Sequence, residues 1–195
     1  MQIRGITHVR MAALSALAAV LCMPALLATA RADDAMSATD VAVAGTANTA
    51  TGSMLMADKL LVRKSERRLY LLRAGQVLRE YRVALGLNPQ GHKQREGDHK
   101  TPEGHYKLIR RNPRSDFFLS MEISYPNGTD VSRATRQGVR PGGAIMLHGW
   151  PNTPRKTADY YKSADWTDGC IAVSNADMVE IWLMTPLETP IEIVP

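Results

Sequence analysis

The sequence predicts a mostly β domain, a sandwich or barrel, over residues 57–195, with a few short helices. Two observations predict it. Short apolar runs recur along this stretch, each bounded by Gly, Pro, Asn or Ser signals. Only two segments carry the pattern expected of a helix. In order, Leu60–Val62, Arg68–Leu72 and Val77–Ala84 are runs separated by Ser65-Glu66 and Ala74-Gly75, the pattern of an antiparallel meander. Gly86 to Gly104 is polar, Gly-rich and carries two histidines, with a third directly after it, so it reads as a long loop ending in the turn Thr101–Gly104. Tyr106–Arg110 and Phe117–Ser124 follow as strands, the second closed by Pro126-Asn127-Gly128. Asp130–Gln137 is expected as a short helix ended by Gly138. Ala144–Leu147 is a continuous apolar run, hence a buried strand, presenting His148 at its end before Gly149-Trp150-Pro151 breaks it. Ile171–Val173 is a short strand. Ser174–Met184 is a helix with a Ser174/Asp177 cap and Met178, Ile181 and Trp182 on one face. Ile191–Val194 is the last strand.

Residues 1–32 read as a secretory signal peptide. Arg4 and Arg10 precede an uncharged apolar run from Met11 to Ala28, and small-residue cleavage sites end at Ala30 and Ala32. Residues 33–56 are Ala, Thr, Ser, Gly, Asp and Met without period and read as a flexible linker. The expected destination is the periplasm. Cleavage after Ala32 removes Arg4, Arg10 and Arg31 and takes the formal charge from +5 to +2. The basic excess therefore belongs largely to the export signal. The remaining basic pairs, Arg67-Arg68 and Arg110-Arg111, lack interleaved aromatics, so no nucleic-acid partner is expected.

Cleavage also removes Cys22 and leaves Cys170 as the lone cysteine. A lone thiol in an oxidising compartment is a liability unless buried or used. Gly169 before it permits a tight turn, and backbone N–H groups in such a turn can face an oxyanion. A thiol with a pKa of about 8.5 needs a base to react at neutral pH. His148, at the end of a buried strand, is the best candidate, with the Gly149 carbonyl placed to orient its ring. The bland alternatives are a small buried cysteine and a satisfied core histidine. If Cys170 is catalytic, it is expected to alkylate with a pH midpoint well below 8.5.

His148-Gly149, a spacer, then Thr167-Asp168-Gly169-Cys170-Ile171 resembles the motif of the L,D-transpeptidase (YkuD-like) catalytic domain family. Further likeness lies in Arg95-Glu96-Gly97-Asp98, Lys100 to Gly104, Ile123 to Asn127 and Asp165-Trp166, and it points to the periplasmic, YafK-related branch. The resemblance implies a mostly β catalytic domain over residues 57–195. It implies that Cys170 attacks a peptidoglycan tetrapeptide stem at its third, diamino acid residue, releasing D-alanine. His148 would move the proton, Gly149 would orient it, and the N–H groups of Gly169 and Cys170 would hold the oxyanion. The thioester would pass to an amine of another stem or of a wall-linked lipoprotein. Passage to water would make a carboxypeptidase or amidase. Carbapenem-type β-lactams are the implied inhibitors, and no metal or other cofactor is implied. Many family members carry His at position 168 and Arg or Asn at 172. Asp168 and Ala172 depart from this, which moves carboxylate recognition elsewhere, with Arg133, Arg136 and Arg140 as candidates by type.

Tyr125, Asn127, Trp150, Trp166, Thr167 and Asp168 are the expected substrate-binding residues. His92, His99 and His105, with Glu96, Asp98 and Glu103 nearby, lack the spacing of a zinc site. Two other classes compete: a non-catalytic wall-binding module on the same fold, and a thiol-redox protein, which would need a C-x-x-C pair.

Overall fold

The computed structural model describes residues 55–195; the expected signal peptide and the linker as far as residue 54 lie outside the described residues. The fold is mostly β with three short helices among the described residues. Three antiparallel strands open it: β1 (Lys59–Arg63), β2 (Arg68–Arg73) and β3 (Gln76–Arg82). β4 (Gly104–Ser115) and β5 (Phe118–Ile123) form a hairpin. α1 (Gly128–Arg136), β6 (Met146–His148), α2 (Ala158–Ser163), β7 (Ile171–Ala172), α3 (Asn175–Met184) and β8 (Pro190–Val194) complete the chain.

The strand order is β3-β2-β1-β8-β4-β5-β6-β7. β4 is the hinge of this arrangement. Gly104 to Lys107 pairs with β8, while Leu108 to Ser115 pairs with β5 across two register shifts. The ends of the order then meet: Ala84, just past β3, exchanges two backbone hydrogen bonds with Ala172, at 2.8 and 2.9 Å. Edge groups that would otherwise be unpaired are used in this closure.

Strand alternation sets the core. Leu60 and Val62, Leu69 and Leu71, Tyr106 and Leu108, Met121 and Ile123, Leu147, Ile171, Ile191 and Ile193 all point inward and are buried. Met178, Ile181 and Met184 of α3 cover them. Trp182 is half-buried, with the Arg111 guanidinium 4.7 Å from its ring.

Three differences from the sequence expectation have local causes. β4 continues past Arg110 through Pro113, because the register shift between Asn112 and Ser115 accommodates a residue without an N–H. α1 starts at Gly128, before Asp130, because Asn127 and Asp130 form a reciprocal capping box. α2 has no apolar period to announce it; Thr157 starts it by accepting from Tyr160 N–H.

Candidate active site

The parallel pairing of β6 with β7 places Leu147 opposite Ile171 and His148 opposite Ala172. Leu147 and Ile171 face the core, so Met146, His148 and Cys170 face the other side, where they line a cleft of 550 Å³. Aromatic residues dominate its walls: Phe117 from the β4–β5 turn, Tyr160 and Tyr161 from α2, and Trp166. Arg155 also lines it, and its guanidinium has no acidic partner among the described residues. A second cleft of 320 Å³ shares Ala144, Asp168 and Cys170 with the first and also carries Lys93, Glu96 and His99 at its walls.

His148 is 4% exposed. Its Nδ1 lies 2.6 Å from the Gly149 carbonyl oxygen. A carbonyl only accepts, so Nδ1 carries the proton and Nε2 is left as the acceptor. The ring sits 4.7 Å from Phe117 and 5.7 Å from Trp166, centroid to centroid. Burial pushes the His148 pKa down to about 4, against the pull of the Gly149 carbonyl. Gly149 has no room for a side chain, since a Cβ would lie 2.6 Å from Asn175 Oδ1. That oxygen accepts from Trp150 N–H at 2.7 Å and ties the segment after His148 to the start of α3.

The turn before Cys170 is organised by Thr167. Its hydroxyl donates to the Cys170 carbonyl at 2.7 Å and accepts from Gly169 N–H at 3.1 Å. Gly169 has φ +128°, and a Cβ there would lie 2.7 Å from the Lys100 carbonyl oxygen. Gly169→Ala is therefore expected to displace the thiol. A loss of kcat/KM of about 10²-fold, the scale of a 1 Å misplacement of a catalytic group, is the expected result of steady-state assay. Upstream, Asp165 accepts from Leu85 N–H at 2.9 Å and pairs with Arg67 at 2.8 Å, which fixes the approach to Trp166.

Cys170 is half-buried. Met146 N–H donates to Sγ at 3.4 Å, and the thiol reaches the Ala144 carbonyl at 3.7 Å. Burial pushes the thiol pKa up; Met146 N–H opposes this, Asp168 adds to it, and Lys93 opposes it. The pair is thus a neutral thiol beside a neutral imidazole at pH 7. An alkylation midpoint well below 8.5 does not fit this arrangement.

The expected residues distribute unevenly. Cys170, His148, Trp166, Thr167 and Asp168 meet at the main cleft. Asp168 is exposed and lies 2.9 Å from His99 Nδ1. Tyr125 does not reach the cleft: it is buried in the core, its hydroxyl on the Pro141 carbonyl at 3.0 Å and its ring against Tyr106 and His92. Asn127 is spent on capping α1. Trp150 lies outside the cleft and stacks on Tyr161 at 5.8 Å. Gly169 N–H is taken by Thr167, so it is not a free oxyanion donor; Cys170 N–H has no acceptor among the described residues. Arg133 pairs with Asp130 and Arg140 with Glu96, while Arg136 is exposed on α1; none of the three lines either cleft. His92 lies 3.1 Å from Asp130, and His105 lies 3.9 Å from Glu192.

Reading local patterns missed Phe117, Arg155, Tyr160 and Tyr161. Each comes from a turn or short helix without period, and only the closed sheet brings them to His148.

A nearly closed mixed sheet thus sets a histidine at the end of one strand and a cysteine just before its parallel neighbour, at the floor of a cleft. Residues 57–193 match the family described as YkuD, L,D-transpeptidase catalytic domain, and the chain belongs to that family. YafK of Escherichia coli (strain K12), a candidate L,D-transpeptidase, is 33% identical over 76 residues, which are 38% of this chain and 29% of YafK. Among solved structures, the helical cell shape determining protein Pgp2 of Campylobacter jejuni superposes with TM-score 0.52 at 28% identity, covering 69% of this chain and 46% of Pgp2. Its K307A mutant gives TM-score 0.54 at 26% identity, over 71% and 47%. The chain thus spans less than half the length of each of these relatives.

Proposed function

We propose that this domain is a cysteine-dependent L,D-transpeptidase that acts on peptidoglycan stem peptides in the periplasm after export. The observation that carries it is the His148 ring. It is buried beside the strand that Cys170 directly precedes, with Nδ1–H held by the Gly149 carbonyl and Nε2 unprotonated.

The Cys170 sulfur adds to the carbonyl carbon of the third residue of a tetrapeptide stem, and its proton passes to His148 Nε2. Cys170 N–H faces the oxyanion in place of Gly169 N–H. The C–N bond breaks, His148 returns the proton to the leaving amine, and D-alanine departs. The thioester is then attacked by an amine, which loses a proton as the C–S bond breaks and the thiol is restored.

Two clefts meeting at one sulfur suit two substrates. The aromatic cleft takes the donor and excludes water from the thioester. The second cleft, with Glu96, Asp168, Lys93 and His99 at its walls, offers a path for an acceptor amine, on another stem or a wall-linked lipoprotein. The likeness to a helical cell shape determining protein supports a role in wall shape. Carbapenem-type β-lactams would acylate the same thiol.

The test is incubation with purified disaccharide-tetrapeptide, with products and intact protein read by mass spectrometry. The expected result is a stem-sized adduct on the Cys170 peptide and a dimer lacking one alanine. A tripeptide monomer with the adduct and no dimer would make the domain a carboxypeptidase. Turnover without an adduct at Cys170 would reject the mechanism.

A further inference from the structure

The strand register carries a consequence for substrate length. Extending the β6–β7 pairing by one residue sets Cys170 opposite Met146. Met146 pairs with Glu122, and Glu122 pairs with Arg110. These four residues form one row across four strands. A second row runs beside it through Ala172, His148, Ser120 and Asn112. At roughly 4.8 Å per strand, Arg110 stands about 14 Å from Cys170, backbone to backbone.

A cavity of 360 Å³ lies over the far end of these rows, lined by Arg110, Arg111, Asn112, Ser120, Glu122 and Met146; the Arg111 guanidinium is spent on the Trp182 and Thr185 carbonyls. It shares Ser120 and Met146 with the main cleft. The two are therefore one groove, apolar and aromatic at the thiol and charged at the far end. Glu122 is largely shielded and holds the exposed Arg110 guanidinium at 2.6 Å. One carboxylate occupies only part of a guanidinium's five donors, and no other acceptor contacts Arg110 among the described residues.

We propose that this groove is an extended donor subsite, in which the part of the stem that precedes the attacked residue crosses strands β6, β5 and β4 and presents a carboxylate to Arg110. The proposal rests on the acyl-transfer reading of Cys170 and adds the path of the chain. A span of about 14 Å corresponds to roughly four extended residues; the attacked residue and the two before it cover most of it, and the Arg110 side chain, held on Glu122 one strand nearer the thiol, covers the rest, so a donor without those two residues cannot use the subsite. The ligand class is an anionic peptide. Glu122 orients the guanidinium.

The test separates binding from turnover. On the Cys170→Ala background, calorimetry compares disaccharide-tetrapeptide with a short N-acetylated dipeptide made of the diamino acid and D-alanine. Arg110→Ala is expected to weaken the long donor about tenfold more than the short one, the weight of one charge-assisted hydrogen bond. Arg136→Ala, exposed on α1 and outside the groove, serves as the control for general charge. Equal weakening of both donors, or of neither, overturns the subsite. Product formation by the Cys170 protein is read separately on the same two donors. Selective binding without Cys170-dependent product would reject the reaction and retain the groove.

Discussion

Cys170→Ala is expected to lower kcat/KM on disaccharide-tetrapeptide by at least about 10⁴-fold, and His148→Gln by about 10²–10⁴-fold. The second variant is the more informative, because the two groups rest neutral. Burial raises the thiol pKa and lowers that of His148 to about 4. A neutral thiol is a poor nucleophile, so the proposed mechanism has the imidazole take its proton during attack. Three results follow in a pH series. The acid limb of kcat/KM falls near pH 4, well below the ordinary histidine value of about 6.5. Alkylation of Cys170 by iodoacetamide has its midpoint at or above the ordinary thiol value of about 8.5. The deficit of His148→Gln shrinks as pH rises, because thiolate then forms without a base. A midpoint well below 8.5 would instead mean a standing thiolate–imidazolium pair and would sink this account.

The same burial affects stability. In the unfolded chain His148 takes a proton near pH 6.5, while in the fold it does so near 4. Between these values the unfolded state binds more protons, so the His148 contribution to stability is full above pH 6.5 and is lost as pH falls toward 4.

The placing of Cys170 at the cleft, just before its strand, was legible because it depends on short-range pattern. Alternation places Cys170 on the opposite face from Ile171 and His148 from Leu147, and a glycine before the cysteine announces a turn. Tyr125 and Asn127 misled for the converse reason. A Tyr-Pro-Asn-Gly segment looks like an exposed turn, yet its burial is decided by residues far away in sequence: Tyr106 on β4, and His92 in the long loop. The loss of Gly169 N–H to the Thr167 hydroxyl was equally hidden, because a threonine two residues before a glycine has no obligation to bond it. Arg155 was invisible as a cleft residue because α2, which holds its backbone N–H through the Tyr161 hydroxyl at 3.1 Å, has no periodic signature.

Lys64→Met is expected to destabilise the domain by about 3–5 kcal/mol, the cost of breaking a buried ion pair from one side. Lys64 follows β1 and is 2% exposed. Its ammonium donates to the Gly91 carbonyl at 2.7 Å, the Thr101 carbonyl at 2.9 Å and Glu103 at 2.8 Å. All three donors are used, and all three acceptors belong to the loop of residues 86–104. Burial lowers the Lys64 pKa, while Glu103 works to keep it charged. Methionine fills similar volume but leaves Glu103 without its cation and two carbonyls without a donor. Thermal unfolding should therefore fall by roughly 10 °C. The damage should also reach the active site, because the loop touches it directly. Thr101 accepts from Gly86 N–H at 3.0 Å, a Cβ on Gly86 would lie 2.1 Å from the His99 carbonyl, and one on Gly169 would lie 2.7 Å from that of Lys100. The stretch from Gly91 to Glu103 is thus held by Lys64 on one side and packs against Gly86 and Gly169 on the other, the latter adjacent to Cys170. A Lys64→Met protein with unchanged melting temperature would mean that the glycine contacts alone hold the loop. If it melts early, activity assayed well below the new transition separates the two effects: a drop in kcat there is the signature of a loosened wall beside Cys170.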